Sequence, residues 1–152
     1  MKYKIGYTQG TYDMFHIGHL NLINAAKKQC DYLIVGVNAN SLVEQYKHKT
    51  PVIDEKERLQ IISNLKAVDD CFLVDTLDKL TVWKKHPFNA IFIGDDWKGN
   101  ARWKETEIQL GKVGSQVVYL PYTAGISSSK LSDFIKQKLA EDKNTQSENN
   151  RA

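Results

Sequence analysis

Apolar positions along the chain change their period repeatedly. Tyr3-Lys4-Ile5-Gly6-Tyr7 begins a strand-like segment, read as 3–9. Leu20, Ile23 and Ala26 then recur at helical steps inside 17–29. Tyr32-Leu33-Ile34-Val35-Gly36-Val37 is a continuous apolar run, the pattern of a strand covered on both faces. Asp54 stands where it can cap a helix carrying Leu59, Ile62 and Leu65. Cys71-Phe72-Leu73-Val74 reads as a third strand, followed by a helix with Leu77, Leu80 and Trp83 that stops near Pro87. Ala90-Ile91-Phe92-Ile93 is a fourth strand. Residues 102–112 form a helix that ends near Gly114, Gln116-Val117-Val118-Tyr119-Leu120 is a fifth strand, and a last helix starts near Ser128.

Strand and helix alternating in this way predict one α/β domain, a five-stranded parallel sheet with helices on both faces. The domain is expected to span 1–140. Residues 141–152 contain almost nothing apolar and are expected to be a disordered tail. In an open parallel sheet, ligands bind beyond the carboxyl ends of the strands, where the strand order reverses. The loops after strands one, two, four and five should therefore hold a site.

Composition narrows the classes. The chain has 152 residues, 41% of them hydrophobic and 26% charged, with a formal net charge of +3. That balance is too mild to argue for nucleic acid, and it fits a local basic cluster aimed at phosphates. No apolar run approaches the roughly 20 residues that span a bilayer. No signal-peptide apolar segment follows the basic start, so a cytoplasmic protein is expected. Cys30 and Cys71 are far apart and lack metal-ligand spacing, and no zinc site is expected.

The unusual residues fall in the expected loops. Strand one leads into Gly10-Thr11-Tyr12-Asp13-Met14-Phe15-His16-Ile17-Gly18-His19. His16 and His19 share a face at the first turn of a helix, whose N-terminus offers unpaired N–H groups and a positive dipole end. Gly18 leaves room for a ligand near the backbone, and Gly10 does the same in the loop. Together these predict a phosphate cradle with two imidazole donors. A bare pair of this kind is more often two surface histidines; its place after a buried strand is what favours function. Gly125-Ile126-Ser127-Ser128-Ser129 opens the last helix as a second anion site, a weak signal alone because serine is a common N-cap. Gly94-Asp95-Asp96-Trp97 follows strand four and could accept hydrogen bonds from a base or ribose, or bind hydrated Mg²⁺; alone it is equally a solvated turn. Lys47-His48-Lys49, with Arg58 further on, is either a solvated charged face or a mobile cationic loop beside a triphosphate.

These elements resemble the cytidylyltransferase family of nucleotidyltransferases, in particular the bacterial glycerol-3-phosphate cytidylyltransferases, over about residues 3–138. The matching residues are Gly10, Thr11, Tyr12 and Asp13; His16, Gly18 and His19; Gly94 to Trp97; and the segment Tyr122-Thr123-Ala124-Gly125-Ile126-Ser127-Ser128-Ser129. The resemblance implies a Rossmann-like doubly wound fold and transfer of CMP from CTP to glycerol-3-phosphate, with Mg²⁺ arriving on the CTP. It implies that His16 and His19 hold the triphosphate and stabilise the transition state. Thr11 and Tyr12 would line the nucleotide site, Asp96 and Trp97 would border base and ribose, and Thr123, Gly125, Ile126, Ser127 and Ser128 would close over the nucleotide. Lys47 would lie near the acceptor phosphate, with Lys49 the weaker match for that role. Lys79, Arg58 and Lys66 would also serve the acceptor side. A homodimer is implied as well. Tyr122 stands where the family carries an arginine, and Lys66 replaces another. Either a different cation compensates, or the acceptor differs, or turnover is reduced. Other acceptors (glycerol-2-phosphate, phosphoethanolamine, phosphocholine, a sugar phosphate), ATP in place of CTP, and a nucleotide binder without turnover stay open.

Overall fold

The computed structural model describes the backbone of residues 2–151 and the side chains of residues 2–144. Five strands, β1 (Tyr3–Gly10), β2 (Cys30–Asn38), β3 (Asp70–Val74), β4 (Ala90–Gly94) and β5 (Gln116–Leu120), pair in parallel in the order β3-β2-β1-β4-β5. The order reverses between β1 and β4, so the expected doubly wound, Rossmann-like α/β fold is present, with its switch point beside the end of β1.

Alternation along the strands sends side chains into two cores. On one face Leu33, Val35, Val37 and Phe92 pack with Ile23 and Ala26 of α1 (Ile17–Lys27) and Ile62 of α3 (Glu55–Ser63). On the other, Tyr7, Ile34 and Ile91 pack with Val82 of α4 (Lys79–Lys85) and with Trp103 and Leu110 of α5 (Ala101–Gly111). Each large apolar side chain fully buried here contributes roughly 1.5–3 kcal/mol. The helices begin where their capping side chains are. Asp54 accepts from Lys56 N at 3.1 Å, Asp78 from Leu80 N at 3.3 Å and Asn100 from Arg102 N at 3.0 Å. Each such cap contributes about 1 kcal/mol.

Three local features differ from the reading of the chain. Residues Asn40–Lys47 form a helix, α2, that the pattern did not reveal. It has eight residues, buries only Leu42 and Val43, and starts at Ala39 without a side-chain cap. Leu77 precedes α4 because Asp78 caps it, and Leu65 lies in the turn after α3. The last helix, α6 (Ser128–Arg151), continues through 141–151, where a disordered tail was expected; residue 152 lies outside the described residues. Its Lys, Gln and Glu residues are good helix formers, and Glu141 is met by Gln137 at 3.4 Å and Lys138 at 3.8 Å. Every residue from 133 to 144 is exposed, so this stretch adds no core.

Candidate active site

The carboxyl ends of β1, β4 and β5 and the loops around them enclose a cavity of about 860 Å³. The loop from β1 to α1 forms its floor. This loop passes through left-handed backbone at Tyr12 (φ 57°) and Met14 (φ 48°). Such non-glycine residues cost about 1–2 kcal/mol each and need external support. The support comes from Asp13 and Arg58. The Asp13 carboxylate accepts from Val52 N at 2.8 Å and Ile53 N at 2.9 Å, and its carbonyl accepts from the Ser128 hydroxyl. One aspartate thus ties the floor to the loop before α3 and to the start of α6.

His16 is the N-cap of α1. Its Nδ1 accepts from Gly18 N at 3.1 Å, and its own N–H donates to His19 Nδ1 at 3.2 Å. The two rings stack with centroids 3.8 Å apart. Gly18 is required by this arrangement, since a Cβ there would lie 2.9 Å from His16 Cε1. With both Nδ1 atoms accepting, each neutral ring carries its proton on Nε2. Burial lowers the His16 pKa. Burial, then the neighbouring His16, lowers that of His19 to about 4. Both rings are therefore neutral donors at pH 7, fixed by the backbone.

The other expected nucleotide residues converge on the same cavity. Gly10, Thr11, Tyr12, Asp96, Trp97, Tyr122, Thr123, Ile126, Ser127 and Ser128 all line it. Tyr12 turns its ring into the core, edge-on to His19, and is only 6% exposed, so it offers backbone more than hydroxyl. The Thr11 hydroxyl lies 3.0 Å from Tyr46 Oη and accepts from Asn38 Nδ2 at 3.2 Å. Asp95 accepts the Tyr122 N–H at 3.2 Å, joining the loops after β4 and β5. Gly125 is not on the wall; it takes φ 85° and turns the chain so that its neighbours reach the cavity.

The expected cationic residues divide. Lys47, Lys49 and Lys79 line the cavity. Lys47 ends α2, so it sits on a helix and not on the mobile loop expected for it. Lys79 is only 6% exposed; its Nζ donates to Leu77 O at 2.8 Å and lies 5.4 Å from the centre of the Trp103 ring. Burial first, and then the charge of Arg102, pulls its pKa down to about 8. Arg58 is displaced from its expected substrate role. It is wholly buried and absent from the cavity wall, and its guanidinium donates to Ile53 O, Thr11 O, Asn38 O and Asn40 Oδ1 at 2.7–2.9 Å. Those oxygens belong to three segments that converge under the site, around Thr11, Asn38–Asn40 and Ile53, so Arg58 positions the floor with four of its five N–H donors. Lys66 is likewise not brought in: it is exposed in the turn after α3 and lines no part of this cavity.

Asp13, Asn38 and Arg102 line the cavity without having been given a role from the sequence. Asp13 was legible as part of the Gly-Thr-Tyr-Asp motif, whereas Asn38 and Arg102 carried no local signal. Among the described residues no three His, Cys, Asp or Glu side chains cluster to hold a metal. The cavity instead offers the separate carboxylates of Asp96 and Asp133. That suits a Mg²⁺ ion held chiefly by phosphate oxygens and water.

The chain matches the family Cytidylyltransferase-like over residues 7–134. It is 34% identical over 125 residues to a glycerol-3-phosphate cytidylyltransferase from Bacillus spizizenii, covering 82% of this chain and 91% of that one. It is 30% identical over 132 residues to a bifunctional protein HldE from Hyphomonas neptunium, covering 84% of this chain but 26% of that longer one. Among solved structures it resembles the lipopolysaccharide core biosynthesis protein from Thermoplasma volcanium, with a TM-score of 0.67 at 27% identity, over 82% of this chain and 99% of that one.

Proposed function

This chain belongs to the cytidylyltransferase-like family, and we propose that its reaction is transfer of CMP from CTP to glycerol-3-phosphate, giving CDP-glycerol and pyrophosphate. The observation that carries the mechanism is the stacked histidine pair, with each Nδ1 engaged by backbone and each Nε2–H left as the ring's free donor at the cavity wall.

An oxygen of the acceptor phosphate attacks the α-phosphorus of CTP. The bond from that phosphorus to the oxygen bridging to the β-phosphorus breaks, and pyrophosphate leaves on the opposite side. The acceptor phosphate is already anionic at neutral pH, so no side chain has to be activated as a nucleophile or remove a proton. Positioning and charge stabilisation supply the catalysis. His16 and His19 donate to the phosphate oxygens as charge shifts onto the leaving group. The N–H groups at the start of α1 and the Ser127 and Ser128 segment at the start of α6 hold the β- and γ-phosphates. Lys47 lines the cavity closely enough to His19 for its charge to lower that ring's pKa, so it would neutralise charge on the reacting phosphate. Mg²⁺ carried by the CTP neutralises part of the triphosphate charge when bound, and Asp96 and Asp133 face the same space.

Two observations favour a second acceptor: Tyr122 in place of the family's arginine, and the match to HldE proteins beside the glycerol-3-phosphate enzymes. The test is pyrophosphate release with Mg²⁺, CTP or ATP, and a panel of phosphorylated alcohols and sugar phosphates. Release with CTP and glycerol-3-phosphate is expected. Release only with another acceptor keeps the mechanism and changes the substrate. CTP binding without release from any pair overturns the enzymatic reading.

A further inference from the structure

The two faces of the sheet deliver different charge to the cavity. From the α1 face come the neutral histidines, and the start of α6 joins them there, with Ser128 bonded to Asp13 O. The α4–α5 face delivers two cations, Lys79 and Arg102, which line the opposite wall. Arg102 is the second residue of α5, its backbone fixed by the Asn100 cap, and its guanidinium lies 5.7 Å from the centre of the Trp97 ring. Among the described residues it has no carboxylate partner. Lys79 is buried next to it and makes no ion pair among the described residues; the charge of Asp78 acts on it, but that carboxylate is bonded to Leu80 N and to the Thr81 hydroxyl at 2.6 Å. Two neighbouring cations, one of them nine-tenths buried and neither in an ion pair among the described residues, repel each other, and an entering anion would relieve that repulsion.

We propose that Arg102, paired with Lys79 and set against Trp97, clasps the phosphate of the acceptor and restores the forked cation missing at Tyr122. The proposal rests on the phosphoryl-acceptor reading above. In-line displacement requires the nucleophile to approach from the side opposite the leaving pyrophosphate. The pyrophosphate cradle lies on the α1–α6 side, so the acceptor comes from the α4–α5 side, where Arg102 and Lys79 wait. A guanidinium also suits a phosphomonoester dianion, since its N–H donors match two phosphate oxygens at once.

The experiment uses the full chain with Arg102→Gln and Arg102→Lys. Steady-state rates with Mg²⁺, CTP and glycerol-3-phosphate should show the acceptor KM raised about tenfold or more in Arg102→Gln, with the CTP KM within about twofold. Arg102→Lys should recover part of the loss. An unchanged acceptor KM, or a rise confined to the CTP KM, overturns the proposal and leaves the transferase reading standing. A second readout does not need turnover. Inorganic phosphate should quench tryptophan emission in the free protein, through Trp97 and Trp103, and Arg102→Gln should weaken that response. A response that survives equally in the variant overturns the proposal. An Arg102-dependent response in a protein that turns over no acceptor supports the anion site and rejects the reaction.

Discussion

The two walls of the cavity are built on different principles. The floor around α1 is over-determined. His16 and His19 are locked by backbone bonds, Asp13 holds two segments, and Arg58 spends four of its five N–H donors on carbonyl-type oxygens. The wall from Tyr122 to Lys136 is looser. Tyr122 is 50% exposed, and the residues from Asp133 onward touch solvent. On the proposed reading, the tight floor carries chemistry that tolerates no displacement, and the loose wall and the α4–α5 cations carry what distinguishes one acceptor from another. Tyr122, which stands where the resemblance implies an arginine, lies on the loose wall, while the histidine pair lies on the floor.

Substitutions should separate the two. The largest effect belongs to the floor. His19→Ala should lower kcat about 10²–10³-fold, as loss of a preorganised donor does, while circular dichroism and Tm stay close to the parent; near-normal turnover would break the assignment. Arg58→Ala should act on stability. It strands Thr11 O and Asn38 O and should cost about 3 kcal/mol or more in urea unfolding. Lys66→Ala, exposed and outside the cavity, should shift neither stability nor turnover measurably in the monomeric unit; a loss as large as that of Arg58→Ala would show that the two residues are not different in kind.

Acidity gives a smaller signal from the floor. The His19 pKa is about 4 in the fold against 6.5 for an ordinary histidine. The folded state therefore binds this proton more weakly than the unfolded chain does. Its contribution to stability is present above pH 6.5 and shrinks as pH falls toward about 4. Thermal melts across that window should show a shallower decline in His19→Gln than in the parent. On the loose wall, Tyr122→Arg should change kcat/KM by less than about tenfold if Arg102 already supplies the forked cation. A gain of several orders of magnitude would mean that nothing replaces the family arginine.

The histidine pair was legible because its chemistry is local: two rings, a glycine between them and a helix start all lie within four residues. The strands were legible because burial on both faces leaves continuous apolar runs. The short helix α2 was not, because a helix without a cap and with only two buried residues leaves no periodic trace. The placement of Arg58 was not legible because charge in a sequence looks the same whether it meets a ligand or a backbone carbonyl; its burial is decided by how three segments converge. Arg102 was silent for a related reason. Its meaning depends on Lys79 and Trp97, which different elements bring beside it.

The most direct measurement follows the label. CTP labelled at the α-phosphorus, or separately at the γ-phosphorus, is incubated with Mg²⁺ and glycerol-3-phosphate, and the products are separated. The account predicts the α label in CDP-glycerol and the γ label in pyrophosphate, with both transfers slowed together by the same factor in His19→Ala. Recovery of both labels in unreacted CTP with every acceptor tried, or transfer of the γ label to the acceptor, would contradict it.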